Sequence, residues 1–532
     1  MNILYLDNRV ALHQERGWTM HMKQAKAMEA TLIRHALEVE WATLFWMMWL
    51  LAALLLIMRP LPTQAQSRDI ADEDITTAIV RELAVDDAVS AHLIDVSTED
   101  GVVTISGSVG NLLARDRAAQ IVKITKGVRA IVNRLQVRPV SRPDEEVKAD
   151  IERALLLDPA TDSYEIAVSV EGGRATLTGR VDSWAEKKLA EQVAKGIKGV
   201  AQIRNNVDVT YEMDRRDSEI KAEIERLLAS DPYLYADAIE VEVNDGRVLY
   251  TGTVMSLLEK SHASHLGWVT GVKGVDTAGL KIEWWRRDGM QRPPRLEFRS
   301  SEEIATAVKT ALAHDPRVSS FTVGVTASGG VVTLAGTVDN LKAKRAAERD
   351  ARDTVGVLQM ENHIKVRPVN PPSDEYIRQQ IQRALTRDSV IEPYDLTALV
   401  RNQKVHLYGE APSYYVRNRA DDVTARIFGV AAVANHIEVA TSPTVKSDAQ
   451  IKEAIEDQFF WSVFVDGGDI IVDVDDGVAT LRGAVDSWRE LRAAVEDVFQ
   501  AGAKGVENKL QIRDTSQQLY PERYYPSLFW AL

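Results

Sequence analysis

The chain contains no cysteine. That excludes disulfide frameworks, Cys-ligated zinc, thiol nucleophiles, iron–sulfur clusters and acylation of an N-terminal cysteine. Positive charge is in short supply, with 64 Lys+Arg against 78 Asp+Glu and a net charge of −14. A general nucleic-acid binder would carry the opposite balance. No Gly-rich phosphate loop, HExxH or GxSxG occurs along the 532 residues, so the common signatures of nucleotide, zinc-peptidase and serine-hydrolase chemistry are missing. The chain is not expected to be an enzyme or to hold a cofactor or metal.

Long uncharged runs are also missing, with one exception. Trp41 to Met58, WATLFWMMWLLAALLLIM, holds nothing more polar than Thr43. As a helix it would span about 27 Å, close to the roughly 30 Å hydrocarbon core of a bilayer. A secretory h-region is usually shorter, which favours a single-pass inner-membrane anchor with the rest of the chain in the periplasm. Small residues around Ala65 leave a cleaved signal and a soluble periplasmic product open as the alternative. Residues 1–40 read as a cytosolic or mis-started segment and 41–65 as the anchor or signal.

Beyond residue 70 the sequence repeats itself. A glycine closes a strand-like run at Gly107, Gly179, Gly252, Gly336, Gly409 and Gly483, and a second keeps step at Gly127, Gly199, Gly271, Gly356, Gly429 and Gly502. Two markers in phase define six copies, with boundaries at 72–140, 144–211, 216–285, 301–369, 374–440 and 447–513. A linker (286–300) lies between copies 3 and 4, and an aromatic tail fills 514–532.

Each copy opens with apolar residues four apart, such as Ile75/Ile79/Leu83, one face of a helix. Asp-Pro follows in copies 2, 3 and 4 and should stop that helix. Two alternating runs come next, joined by turns such as Glu99-Asp100-Gly101 that supply the positive φ of a tight hairpin. Copy 5 has Arg401-Asn402-Gln403-Lys404 there, so its hairpin should be the least regular. A second helix is predicted after Asn111, Ser183, Ser256, Asn340, Ser413 and Ser487, with Glu186, Glu259 and Glu490 placed to complete capping boxes. A last alternating strand closes the unit. The predicted fold class is α+β: tandem α-β-β-α-β units, each a three-stranded sheet covered by two helices, preceded by one hydrophobic N-terminal helix.

The hairpin ending in T-[LI]-x-G, the capped helix and the closing runs GVRAIVNRLQV (from Gly127), GVLQMENHIKV (from Gly356) and GVAAVANHIEV (from Gly429) together resemble the BON domain of bacterial envelope and osmotic-stress proteins. Copy 3 departs, with Thr277 where the others have Asn133, Asn205, Asn362, Asn435 and Asn508, so its third strand is expected to pair imperfectly. The resemblance implies an exported, non-enzymatic module that associates with phospholipid surfaces and supports envelope integrity under osmotic stress. It supplies no catalytic residue. A periplasmic protein–protein scaffold or oligomer-building array is the alternative.

The candidate anionic-lipid contact lies in copy 4, which carries nine basic against eight acidic residues while copy 6 carries seven against fourteen. Lys342, Arg345, Arg349 and Arg352 are spaced to share one helix face. Phe460, Trp461 and Phe464 are candidate interface aromatics. The six strand glycines are expected to be structural, marking close backbone approach. His262 and His265, three apart, and the turn Asp473–Gly477 lack the further ligands a metal would need. Anionic phospholipid is the expected partner, other envelope proteins a further one, and nucleic acid none.

Overall fold

The structure, a computed structural model, describes residues 70–283 and 299–513 except 87, 90, 159, 162–164, 212–214, 320, 369 and 441–445. The hydrophobic stretch 41–58, most of the linker and the aromatic tail lie outside these residues. No helix among the described residues is long and apolar enough to cross a membrane.

Copy 1 sets the pattern: a first helix (Asp72–Val85), a hairpin (Ile94–Glu99 and Val102–Val109), a second helix (Leu112–Ile124) and a third strand (Ala130–Val137). The hairpin is antiparallel, and the third strand lies parallel to the second with Val102 opposite Ala130. Both helices pack on one face of the sheet, so Ile75, Ile79 and Leu83 meet Val103, Ile105, Ala118 and Ile121 in a buried cluster. The unit recurs six times around six such clusters. First helices are Asp144–Leu157, Asp217–Ser230, Ser301–His314, Asp374–Arg387 and Asp448–Trp461 in copies 2 to 6; second helices are Trp184–Lys195, Leu257–Leu266, Leu341–Arg352, Tyr414–Ala425 and Trp488–Gln500.

The second helices are capped as the sequence predicts, each Ser or Asn accepting from the backbone three residues on. The glutamates of the expected capping boxes reach one residue further back, accepting from Asp182, Met255 and Asp486 N–H groups at 2.8–3.0 Å. Strand glycines are structural for a physical reason: Gly107 has φ +115°, and a Cβ there would sit 2.0 Å from the carbonyl oxygen of Leu93.

Two fixed-spacing devices brace every copy. The first residue of the first helix is Asp72, Asp144, Asp217, Asp374 or Asp448 in five copies, and its carboxylate accepts both N–H groups of the hairpin turn 28 and 29 residues on. Copy 4 has Ser301, which accepts one. At the other end of that helix, Asp86, Asp158, Asp231, Asp315, Asp388 or Ser462 accepts from the N–H two residues on, an Asx-type turn in all six. Replacing Asp144 by alanine removes two charge-assisted acceptors and is expected to cost about 1.5–3 kcal/mol. Faster hydrogen exchange at Gly172 and Gly173 would register it; unchanged protection there would count against the brace.

Two expectations are refined. Copy 3 does mispair: Leu249 faces Asp276 but Thr251 faces Gly279, so Thr277 belongs to a bulge. Asp276 takes the asparagine's place, accepting from Ala278 N–H at 2.8 Å. In copy 5, expected to have the least regular hairpin, the turn itself is regular. Asn402 and Gln403 adopt φ +49° and +62° and close the same two-residue hairpin between Arg401 and Lys404. Its irregularity falls instead in the strands, which break around Gly409 and between Asn435 and Glu438.

Candidate functional site

Contact between copies is what recurs among the described residues. In every copy the residue that opens the second helix leaves its own unit and docks on another. Leu112 of copy 1 is buried in the core of copy 2. Trp184 of copy 2 stacks on Trp268 of copy 3, centroids 5.0 Å apart and planes 3° apart, and Leu257 of copy 3 packs on the core of copy 1. The second half repeats the cycle. Leu341 of copy 4 joins the core of copy 5, and Tyr414 of copy 5 meets Phe499 of copy 6. Trp488 of copy 6 donates its Nε1–H to the carbonyl of Val357 in copy 4 at 3.2 Å. Copies 1, 2, 3 and copies 4, 5, 6 thus form two closed rings of three.

The rings meet through pairs. Between copies 1 and 6, Lys126 N–H donates to Trp461 O and Val463 N–H to Ile124 O, both at 3.0 Å. Between copies 2 and 5 the equivalent bonds are Lys198 N–H to Arg387 O and Ser389 N–H to Gly196 O, at 2.8 and 2.9 Å. Between copies 3 and 4, Val355 N–H donates to Ser230 O at 3.0 Å. Pro232, which has no N–H, cannot supply the second bond. One three-fold relation within rings and two-fold relations between them are the contact pattern of a D3 hexamer written into one chain.

A third relation joins copy 1 to 5, where Arg117 lies 5.6 Å over the Tyr415 ring, and copy 3 to 6, where Arg489 lies 4.3 Å over Tyr233. Its counterpart between copies 2 and 4 has the small Ala185 in the helix position held by Leu113, Tyr415 and Arg489. A cleft of about 1610 Å³ opens there, with His262, Trp268, Arg317 and Asp350 on its walls. Among the described residues no group of three or more His, Cys, Asp or Glu is placed to hold a metal. His262 pairs with Asp231 at 2.6 Å, while His265 lies edge-on to Trp184.

Charge is buried at these junctions and neutralised there. Arg419 donates to Asp388 from Nε and Nη2 at 2.9 and 2.7 Å; burial works against its charge, but Asp388 outweighs it and raises its pKa. Lys342 is only 6% exposed and bonds Asp422 of copy 5 at 2.5 Å. Burial, helped by nearby Arg426, pushes this lysine down to about 8. Asp422 is half-buried, which works against its charge, yet Arg426, Lys342 and Arg419 together hold it well below the usual carboxylate range. One carboxylate faces three cations, so the lysine bears the cost of desolvation.

The expectation of an open cationic face on copy 4 is therefore corrected. The spacing does place Lys342, Arg345 and Arg352 along one side of the helix, but that side is the seam with copies 5 and 6. Lys342 and Arg345 pair with Asp422 and Asp421 of copy 5. Arg352 bonds Glu348 at 2.7 Å and lies 4.9 Å over Trp488 of copy 6. Arg349 alone of the four is exposed. The aromatics divide similarly: Trp461 packs on the core of copy 1, Phe464 lines the core of copy 6, and Phe460 is exposed beneath Lys126 at 5.2 Å. Sequence reasoning missed the docking residues. Their signal is a large apolar side chain directly after each capping Ser or Asn, where an isolated helix would meet water.

Comparison with known proteins agrees with this repeat structure. The BON domain family matches residues 71–139, 143–211, 216–283, 300–368, 373–441 and 447–514. Osmotically-inducible protein Y of Escherichia coli is 31% identical over 144 residues, covering 26% of this chain and 72% of that protein. Among solved structures, CdsD, a structural protein of the Type III secretion system of Chlamydia trachomatis, matches at 17% identity over 41% of this chain and 98% of its own, with a TM-score of 0.12. Its C-terminal domain matches at 14% identity over 40% of this chain and 100% of its own, also with a TM-score of 0.12.

Proposed function

Since the chain belongs to the BON domain family, with six copies in tandem, we propose that it is a non-enzymatic protein of the bacterial envelope that acts under osmotic stress. In this reading it binds anionic phospholipid surfaces through outward-facing sheets and supports the envelope as a pre-assembled six-copy body. The similarity to an osmotically-inducible protein supports the context. The observation that carries the choice of surface is the docking pattern: the opening residues of all six second helices are engaged in other copies, so those helices are not available to a membrane. Sheet residues on the opposite face remain exposed, among them Leu399 and Tyr408 in copy 5 and Ile471 and Val478 in copy 6. The hydrophobic stretch 41–58 would hold the copies at an inner-membrane surface, on its periplasmic side.

The alternative, a protein–protein scaffold, draws support from the same complementary faces, since a docking rule used six times within a chain could be used between chains. Co-sedimentation with anionic and neutral liposomes at two salt concentrations separates the readings. For lipid binding, Leu399→Glu combined with Ile471→Glu is expected to reduce anionic-liposome affinity by about a hundredfold or more, each losing about 1.5–3 kcal/mol of apolar burial. Binding that is absent in the wild type, or unchanged in this variant, would turn the assignment away from the sheets.

A further inference from the structure

The two kinds of junction differ in chemistry. Within rings each junction has an apolar or aromatic docking residue, Leu112, Trp184 and Leu257 in one ring and Leu341, Tyr414 and Trp488 in the other, alongside the ion pairs Lys195–Asp116, Lys342–Asp422, Arg345–Asp421 and Arg492–Asp353. Between rings, backbone hydrogen bonds are joined mainly by charged pairs: Arg81 with Asp457 at 2.5 Å, Lys198 with Glu392 at 2.5 Å, Arg426 with Asp158 at 3.8 Å, and His314 with Glu223. Trp461, Leu113 and Leu157 add apolar contact across this seam. None of the six docking residues is spent on this seam, and an interface with less apolar core is the more separable kind. The seam also coincides with the 286–300 linker, which joins copy 3 of one ring to copy 4 of the other.

One residue on the seam is out of keeping with its position. Ten residues beyond the cap of the second helix, four copies carry Ile121, Val193, Leu266 and Val423, but copy 4 carries Asp350 and copy 6 carries Asp497. Asp350 turns toward Asp315 and Arg317 of its own copy. Asp497 instead faces the other ring, and its Oδ2 is buried without a hydrogen-bond partner. Glu82 from the first helix of copy 1, Arg117 from its second helix, and Glu496 from its own helix surround it. Arg117 is already committed to Asp86 at 2.6 Å, and Arg81 to Asp457. Glu82 accepts from Gln458 at 2.8 Å, and the Gln500 amide, with its nitrogen toward Glu82, bridges to Arg117. An ionised Asp497 would find no uncommitted cation, and Glu82 and Glu496 would repel it. Burial, then Glu82, pushes its carboxyl well above the usual carboxylate range. Burial raises Glu82 as well.

We propose that Asp497 is a proton-controlled latch between the two rings: neutral, it lets copy 6 close on copy 1; ionised, it drives that junction apart and uncovers the helices between the rings. Because the docked form holds its proton more tightly than the open form, the closed contact is strongest below the ordinary carboxylate value. It weakens as pH rises through the docked value.

The test uses the full chain in mild detergent, with a protease site placed inside 286–298 and cut after folding. Two halves then remain, held by the seam alone. Their dissociation constant is measured by analytical ultracentrifugation from about pH 4 to about pH 9, a range that begins at the ordinary carboxylate value. The latch gives a rise of up to about tenfold per pH unit between the open and docked values. Asp497→Asn, uncharged at every pH, should remove the Asp497 share of that rise, leaving the part owed to His314 and Glu223 on the same seam. If the asparagine variant does not fold, Asp497→Leu takes its place, since aliphatic residues occupy this position in four copies. A flat wild-type profile, or a slope that the substitution leaves unchanged, overturns the latch. Halves that stay joined until they unfold overturn the separable seam.

Discussion

Replacing Asp388 by alanine is expected to remove about 3–5 kcal/mol of stability, and to do so at two levels of structure. Locally, its carboxylate closes the first helix of copy 5, accepting from Val390 N–H at 3.0 Å and Ile391 N–H at 3.3 Å. It is also the counter-ion of Arg419, whose side chain is largely buried on the second helix of the same copy. Alanine leaves that guanidinium with the more distant Asp422, 3.8 Å from its Nη1, in a site where an uncompensated charge is costly. Beyond the copy, Arg387 and Ser389 on either side of Asp388 make both backbone bonds to copy 2, so the disturbance reaches the seam between rings. Asn in place of Asp keeps the turn acceptor but not the charge and should fall between alanine and wild type. At the equivalent Asp231 the partner is the imidazole of His262 at 2.6 Å in place of a guanidinium, so no buried arginine is stranded and Asp231→Ala should cost less. A six-copy chain need not unfold in one step. Hydrogen exchange at Lys198 and Ser389 therefore belongs beside thermal denaturation. Equal losses at Asp388 and Asp231, or an unaltered copy 2–5 junction, would contradict this account.

The contrast between these two aspartates shows what a single sequence makes legible. Period, helix faces, caps and hairpin turns are local, and Ser487 or Asp100-Gly101 can be read where they stand because nearby backbone determines what they do. The Asp that starts five of the six first helices stands in an acidic first turn, a sufficient local explanation. Its second role, holding a turn 28 and 29 residues away, emerges only when copies are aligned on both features. Arrangement of the copies was harder still. Leu112, Trp184, Leu257, Leu341, Tyr414 and Trp488 share no chemical identity, only size, apolarity and a place after the cap. Their targets also lie in other copies at sequence distances that the repeat does not encode. The basic stripe of copy 4 misled for the same reason: helical spacing shows which residues share a face, but whether that face meets water depends on Asp421 and Asp422, some 76 to 80 residues later.

Reversing the charge of Lys342 should therefore act as a lesion of the fold. Lys342→Glu would bury a carboxylate beside Asp422 and close to Asp421 and Asp158, exchanging an attraction at 2.5 Å for repulsion among acids. A buried charge without a partner costs about 3–5 kcal/mol, and repulsion from Asp422 places this substitution at or above that range. Lys342→Met gives the informative contrast. Asp422 keeps Arg426 at 2.6 Å and Arg419 at 3.8 Å, and methionine fills the space of the lysine stem without its desolvated charge, so a change under about 1.5 kcal/mol is expected. The lysine also fixes a pH dependence. Its folded-state value near 8 lies below its ordinary value of 10.5, so the unfolded chain binds the extra proton between the two. This term makes wild-type stability rise with pH across that window, and Lys342→Met removes it. Arg349→Glu, on the exposed side of the same helix, should stay within about 0.5 kcal/mol of wild type. Thermal denaturation of the four proteins at about pH 7 and about pH 9.5 would decide the matter. If Lys342→Glu melts like Arg349→Glu while losing only liposome binding, the copy 4–5 seam is not formed in solution and the second helix meets the membrane after all.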